Sequence, residues 1–164
     1  MPGCGKSYFG RLWGRKFHYH VEDLDRRIEH QTGLLVQDIF SGMGEKGFRT
    51  LEADALLESI QVHRDQPVII VTGGGTPTYD SNMGTMLRSG LVVYLRAESA
   101  YLLVNILRNP SKRPLLKDCT VEKLDTMLEE RRSFYERAHM IVDVERSGPD
   151  TFAEILKQCT NQPL

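Results

Sequence analysis

Gly5, Lys6 and Ser7 carry the clearest chemistry in this 164-residue chain. They fill the last three places of the phosphate-binding pattern G-x-x-x-x-G-K-[ST], in which backbone N–H groups cradle phosphates while the lysine and hydroxyl handle charge and magnesium. Gly3 and Cys4 stand in the variable places before them, Tyr8 follows, and Met1 falls on the first variable place. The opening glycine and the strand that feeds such a loop are expected upstream of residue 1, with Met1 expected to be an internal methionine of a longer protein. At a helix start the unpaired N–H groups and the dipole attract phosphate. Lys6 would then reach the terminal phosphates and Ser7 would bind magnesium. Cys4 is either a small residue that fits the loop or a thiol whose pKa the helix end lowers.

Asp23-Leu24-Asp25 comes next. Two residues apart at a strand end, both carboxylates project to one side. Asp25 caps the following helix, or Asp23 serves magnesium through water and Asp25 a substrate hydroxyl. Arg49 in Gly47-Phe48-Arg49-Thr50-Leu51-Glu52, Arg113 between Pro110 and Pro114, and Arg131 in Glu130-Arg131-Arg132-Ser133-Phe134-Tyr135 stand out by context. Each belongs to a solvated face or pairs with carboxylate or phosphate through its planar fork. Gly73-Gly74-Gly75 is a plain turn, or a place where a ligand approaches the backbone closely.

The elements that position these groups follow from the pattern. Val68-Ile69-Ile70-Val71-Thr72 reads as a buried parallel strand stopping at the glycines. Residues 91–95 and 140–144 look similar, and a shorter strand is expected around His20-Val21. Helical patterns cover 6–17, 25–32, 45–62, 100–107, 121–138 and 149–158, the last with Phe152, Ile155, Leu156 and Cys159 at helical spacing. Such alternation predicts an α/β three-layer domain with a parallel sheet. Chemistry in these sheets sits beyond the carboxyl ends of the strands, where Asp23, the triple glycine and the phosphate loop all fall.

Composition bounds the partners. The length suits one domain over residues 1–164. A net charge of −1 gives no reason to expect nucleic acid or a membrane surface as partner. No apolar run approaches a membrane span, and no signal peptide is seen, so a cytoplasmic location is expected. Cys4, Cys119 and Cys159 form no C-x-x-C pair, and the five histidines show no ligand spacing.

Taken together, these residues resemble the shikimate kinase family over most of the chain. Ser7 through Asp25, including Gly10-Arg11, follows the family's stretch from phosphate loop to D-x-D. Asp25-Arg26-Arg27-Ile28-Glu29, Gly33, Ile39-Phe40, Gly44-Glu45 and Phe48-Arg49-Thr50-Leu51-Glu52 resemble its substrate-binding part, about residues 25–60. The glycine triplet, Val93-Tyr94-Leu95, Arg113-Pro114-Leu115-Leu116 and Arg131 complete the order. The resemblance implies a P-loop kinase fold with family strand order 2-3-1-4-5, the first strand absent here. It implies ATP-dependent phosphorylation of shikimate to shikimate 3-phosphate, with Mg2+, by what is usually a small monomer. Residue by residue, it implies that Lys6 and Arg113 meet the ATP phosphates, with Gly3, Cys4, Gly5, Ser7 and Tyr8 in the loop around them. Ser7 and Asp23 fall to magnesium, and Asp25, Arg49, Gly74 and Arg131 to shikimate, with Gly75 close by. Lys6, Asp25, Arg113 and Arg131 are the catalytic set. Asp25, surrounded by arginines, is expected to stay ionised. Arg113 would close over the nucleotide on a lid spanning about 109–120, and Arg108 and Pro149 would pack against adenine.

Four positions depart from the family pattern: Tyr8 and Leu24 replace small hydroxyl residues, Asn105 an arginine and Ser133 a proline. The absent first strand belongs between the strands ending near Thr72 and Leu95. Its five apolar side chains are worth roughly 7–15 kcal/mol, so a chain truly starting at residue 1 is expected to be poorly stable and to bind ATP weakly. Two other readings remain: another small P-loop kinase such as one acting on gluconate, and a non-catalytic kinase-like binding domain.

Overall fold

The computed structural model describes residues 1–108, 118–147 and 150–160. Among them, helices and short strands alternate: α1 (Lys6–Phe17), β1 (His20–Asp23), α2 (Leu24–Thr32), α3 (Val36–Val62), β2 (Val68–Val71), α4 (Asn82–Ser89), β3 (Val93–Arg96), α5 (Ser99–Leu107), α6 (Val121–Tyr135), β4 (Met140–Asp143) and α7 (Thr151–Thr160). The α/β class and all four strands agree with the sequence reading. Helix α4 and a single 3-10 turn at Thr76–Thr78 were not expected, and α3 begins nine residues before the expected 45. Its extra length is a separate short helix, broken from the rest at Gly44, whose φ is 70.

The strands form two parallel pairs. β1 pairs with β2 (Val21 opposite Ile69) and β3 with β4 (Leu95 opposite Val142), while β2 and β3 are not bonded to each other. In the order 2-3-1-4-5 that the resemblance implies, these would be strands 2 and 3, then 4 and 5, with the division at the place of the first strand. A cavity of about 50 Å³ lies there, lined by Met1, Cys4, Met83, Leu95 and Tyr135 among others.

Alternation along β2 sends its side chains into two cores. Ile69 joins Phe9, Trp13, Leu95, Leu102, Leu124 and Ile155; Ile70 joins Leu24, Ile28, Ile39, Phe48 and Leu56 from α2 and α3. Helix α1 lies on the first face through two glycines. A Cβ on Gly10 would come 2.6 Å from Val71 Cγ2, and one on Gly14 would collide with Val21 and sit 3.0 Å from the Tyr19 carbonyl. This close approach sets the height of the phosphate loop over the strand ends. Gly14→Val should overpack that contact and cost about 1–3 kcal/mol, seen as a Tm lowered by roughly 2–12 °C. An unchanged Tm would show that α1 does not depend on it.

Candidate active site

The chain before α1 is wound tightly by two glycines in the left-handed region, Gly3 at φ 84 and Gly5 at φ 87. Gly3 has a second reason to lack a side chain, since a Cβ would lie 2.6 Å from the Leu102 carbonyl oxygen. Asn105 Nδ2 donates to the Gly3 carbonyl at 3.0 Å and ties the loop to α5. Lys6 Nζ donates to the Met1 carbonyl at 2.6 Å and lies 3.8 Å from Cys4 Sγ. Burial pushes the Cys4 thiol up and the Lys6 ammonium beside it pulls it down. The first turn of α1 carries no acidic residue, so its N–H groups and dipole remain uncompensated. Tyr8 projects outward, 61% exposed, with its ring edge-on to Phe9.

Ser7 Oγ donates to Asp23 Oδ2 at 2.8 Å, so the two groups expected at magnesium are brought together. Asp23 occupies the cap position of α2 without a capping bond, and Asp25 lies inside the first turn. The capping reading of Asp25 therefore fails. The expectation that arginines keep Asp25 ionised is also corrected. Burial comes first in pushing its pKa up to about 6, followed by Asp23 and Glu52, with Lys6 opposing. The nearby guanidinium is turned elsewhere: Arg49 pairs with Glu45 at 3.0 Å and, more closely, with Glu52.

Glu52 is the residue that sequence reasoning passed over. It is 0% exposed. One carboxylate oxygen takes Arg49 and the other accepts from Thr76 Oγ1 at 2.6 Å. The signal was available: Phe48, Glu52, Ala55, Leu56 and Ser59 form the buried stripe of α3, and a carboxylate on such a stripe needs a partner.

None of the three glycines after β2 has a positive φ; all are glycines for room. A Cβ on Gly73 would collide with Glu52 Oε1 and one on Gly75 with the Arg49 guanidinium. On Gly74 it would sit 3.3 Å from Arg131 Nη1 and 3.4 Å from Met1 Cα. The triplet is thus the surface on which Arg49, Glu52, Arg131 and the phosphate loop meet. Arg49 and Arg131 lie against the triplet, Lys6 lines one cavity with Gly73 and Gly74, and Asp25 lies within reach of the charges of Lys6, Asp23 and Glu52. Arg113, most of the expected lid and Pro149 lie outside the described residues, and Arg108 is exposed at the end of α5. Among the described residues no group of three or more acidic, histidine or cysteine side chains is placed to hold a metal alone.

A family model described as shikimate kinase matches residues 2–160. The chain is 36% identical over 159 residues to a shikimate kinase of Synechococcus sp. (strain CC9902), spanning 96% of this chain and 81% of that one. It is 38% identical over 158 residues to a shikimate kinase of Thermus thermophilus, spanning 95% and 84%. The solved shikimate kinase from Acinetobacter baumannii, in complex with shikimate, superposes with a TM-score of 0.84 at 30% identity over 98% of this chain and 89% of that one. A deoxyadenosine kinase from M. mycoides, TM-score 0.55 at 14% identity, shares the fold alone. With a match that runs from the phosphate loop into α7, the chain belongs to the shikimate kinase family.

Proposed function

We propose that this chain transfers the γ-phosphoryl group of ATP to the 3-hydroxyl of shikimate, giving ADP and shikimate 3-phosphate on the route to chorismate and the aromatic amino acids. The observation that carries the reading is the convergence of Lys6, the Asp23/Asp25 pair, Arg49 and Arg131 on the glycine triplet. Two guanidinium groups suit one carboxylate, and one buried aspartate suits a hydroxyl. No stacking platform for a second base accompanies them in the sequence, which favours a small polyhydroxy acid over a nucleotide acceptor. The enzyme is read as a cytoplasmic monomer; no helix among the described residues is long and apolar enough to cross a membrane.

In this reading the first-turn N–H groups of α1 and Lys6 hold the terminal phosphates, joined by Arg113 from the lid. Ser7 Oγ and Asp23 Oδ2, 2.8 Å apart, fit magnesium, which takes oxygen ligands and is usually held by one or two protein groups plus phosphates and water. When bound, the ion neutralises charge on the transferring group. Arg49 and Arg131 hold the carboxylate with Gly74 and Gly75 beside it. The 3-hydroxyl oxygen attacks the γ-phosphorus, its proton passes to Asp25, and the broken P–O bond leaves its electron pair on ADP. Positioning and charge supply nearly all the rate enhancement.

A coupled ADP-release assay offered shikimate, gluconate and nucleoside monophosphates tests the proposal. Turnover with shikimate alone is expected; a folded sample with no turnover would make this a binding domain instead. Lys6→Met should lower kcat by about 10³–10⁵-fold, the range for key cationic groups in such sites.

Arg49 does two jobs, so its variants should separate. Arg49→Leu leaves Glu52 buried without its counter-charge and should cost about 3–5 kcal/mol of stability. Arg49→Lys keeps the charge but loses the fork, and should raise the KM for shikimate roughly tenfold with kcat little changed. An unchanged KM would remove Arg49 from the substrate site.

Asp25 must be ionised to accept a proton, so kcat/KM should rise with pH through about 6 and level off above it. The same shift opposes folding. A carboxylate whose folded pKa is raised contributes stability below its unfolded value and loses it as pH rises through about 6. Asp25→Asn should abolish turnover yet melt higher than the parent at pH 8, with the gap closing near pH 4. A lower melting temperature at pH 8 would contradict this.

A further inference from the structure

Tyr135 closes α6 and is 5% exposed. Its ring packs on Tyr94, centroids 4.8 Å apart. That much is packing, and a phenylalanine would do it. The hydroxyl does something else. It donates to the Gly74 carbonyl at 2.6 Å, with Met1 Sδ at 3.5 Å as its other neighbour. Arg131, one turn earlier on α6, acts on the same oxygen. Burial pushes the phenol above its ordinary pKa and the nearby Arg131 guanidinium opposes that; a Cβ on Gly74 would sit 3.3 Å from Arg131 Nη1 and 3.5 Å from the Tyr135 hydroxyl. A phenol both accepts and donates, so a hydroxyl whose proton is committed to the Gly74 carbonyl offers its lone pairs to the Arg131 guanidinium beside it.

The consequence lies in the peptide. Across a trans peptide bond the C=O and N–H point in opposite directions, so the bond that turns the Gly74 carbonyl toward Tyr135 turns the Gly75 N–H away from it. Gly75 is buried, and among the described residues its N–H has no acceptor. Buried N–H groups without acceptors are rare. A guanidinium and an unanswered N–H held by one phenol make a donor set for a carboxylate.

We propose that Tyr135 is a positioning residue for the acid group of the substrate, its hydroxyl setting the direction of both the Arg131 guanidinium and the Gly75 N–H. The inference rests on the shikimate-kinase reading above. Tyr135→Phe removes only the oxygen. The comparison is KM and kcat for shikimate and for its methyl ester, KM for ATP, and Tm, in the parent chain and in the variant. The KM for shikimate should rise roughly tenfold, the equivalent of one hydrogen bond at about 1.4 kcal/mol. The KM for the ester and for ATP should stay within about twofold, so that the preference for acid over ester falls roughly tenfold. Equal losses for acid and ester, or no change for shikimate, would overturn the proposal. So would a Tm drop beyond about 5 °C, which would make the hydroxyl structural. A parent chain that neither binds nor turns over shikimate would sink the underlying reading and this one with it. A normal parent beside an unaltered variant would sink only the role of Tyr135.

Discussion

A carboxylate with no access to water must be answered by the protein itself, and Glu52 is that carboxylate. One of its oxygens holds Arg49 and the other Thr76, so a residue on α3 fixes both the Arg49 guanidinium and the loop after β2. The demand then spreads. Gly73 lacks a side chain because Glu52 occupies its place, and Gly75 lacks one because Arg49 does. Breaking the pair by removing one partner would leave the other charged and buried, which costs several times more than the pair itself contributes. The site is therefore held by an interaction that tolerates no half measures.

Around that fixed point the electrostatics are unbalanced. Burial first, and then Asp23 and Glu52, push Asp25 up to about 6, with Lys6 opposing them. The first turn of α1 supplies positive potential but carries no acidic side chain of its own. A cleft with an excess of carboxylates on one wall and bare N–H groups on the other is costly to maintain. It also places opposite charges where a polyanion and its counter-ion would sit, which is where preorganised dipoles contribute most to catalysis. Strain of this kind is expected where function, not stability, has set the arrangement.

How much of this was legible in the letters differs from element to element. β2 announced itself because four β-branched residues in a row suit a strand covered on both faces. α1 was bounded correctly because the glycine before Lys6 and the change of pattern after Phe17 mark both ends. α4 was missed: Asn-Met-Gly-Thr-Met-Leu-Arg-Ser has weak helix formers, and its place is secured by Met83 and Met86 packing on the structure, a tertiary cause with no local trace. Among the site residues, Lys6, Asp23 and Asp25 could be read from motif and spacing. The partners that aim them could not. That Asp25 is surrounded by carboxylates, and that Arg49 is engaged by Glu52, depends on which faces α2 and α3 turn toward each other.

The four departures from the family pattern have physical answers. Leu24, between the aspartates, is 0% exposed in the core shared by α2 and α3, a position where a hydroxyl would gain nothing. Ser133 lets α6 run unbroken to Tyr135, where a proline would remove a helical N–H. Asn105 donates its amide to the Gly3 carbonyl and so secures the loop. Tyr8 points into solvent beside Phe9. Three of these substitutions act on the scaffold and one on the rim, whereas the matched Arg49 and Arg131 lie against the glycine triplet with Lys6 beside it. The proposed chemistry falls to groups that face the cleft, and the helices behind them deliver Glu52 and Tyr135 to the same loop.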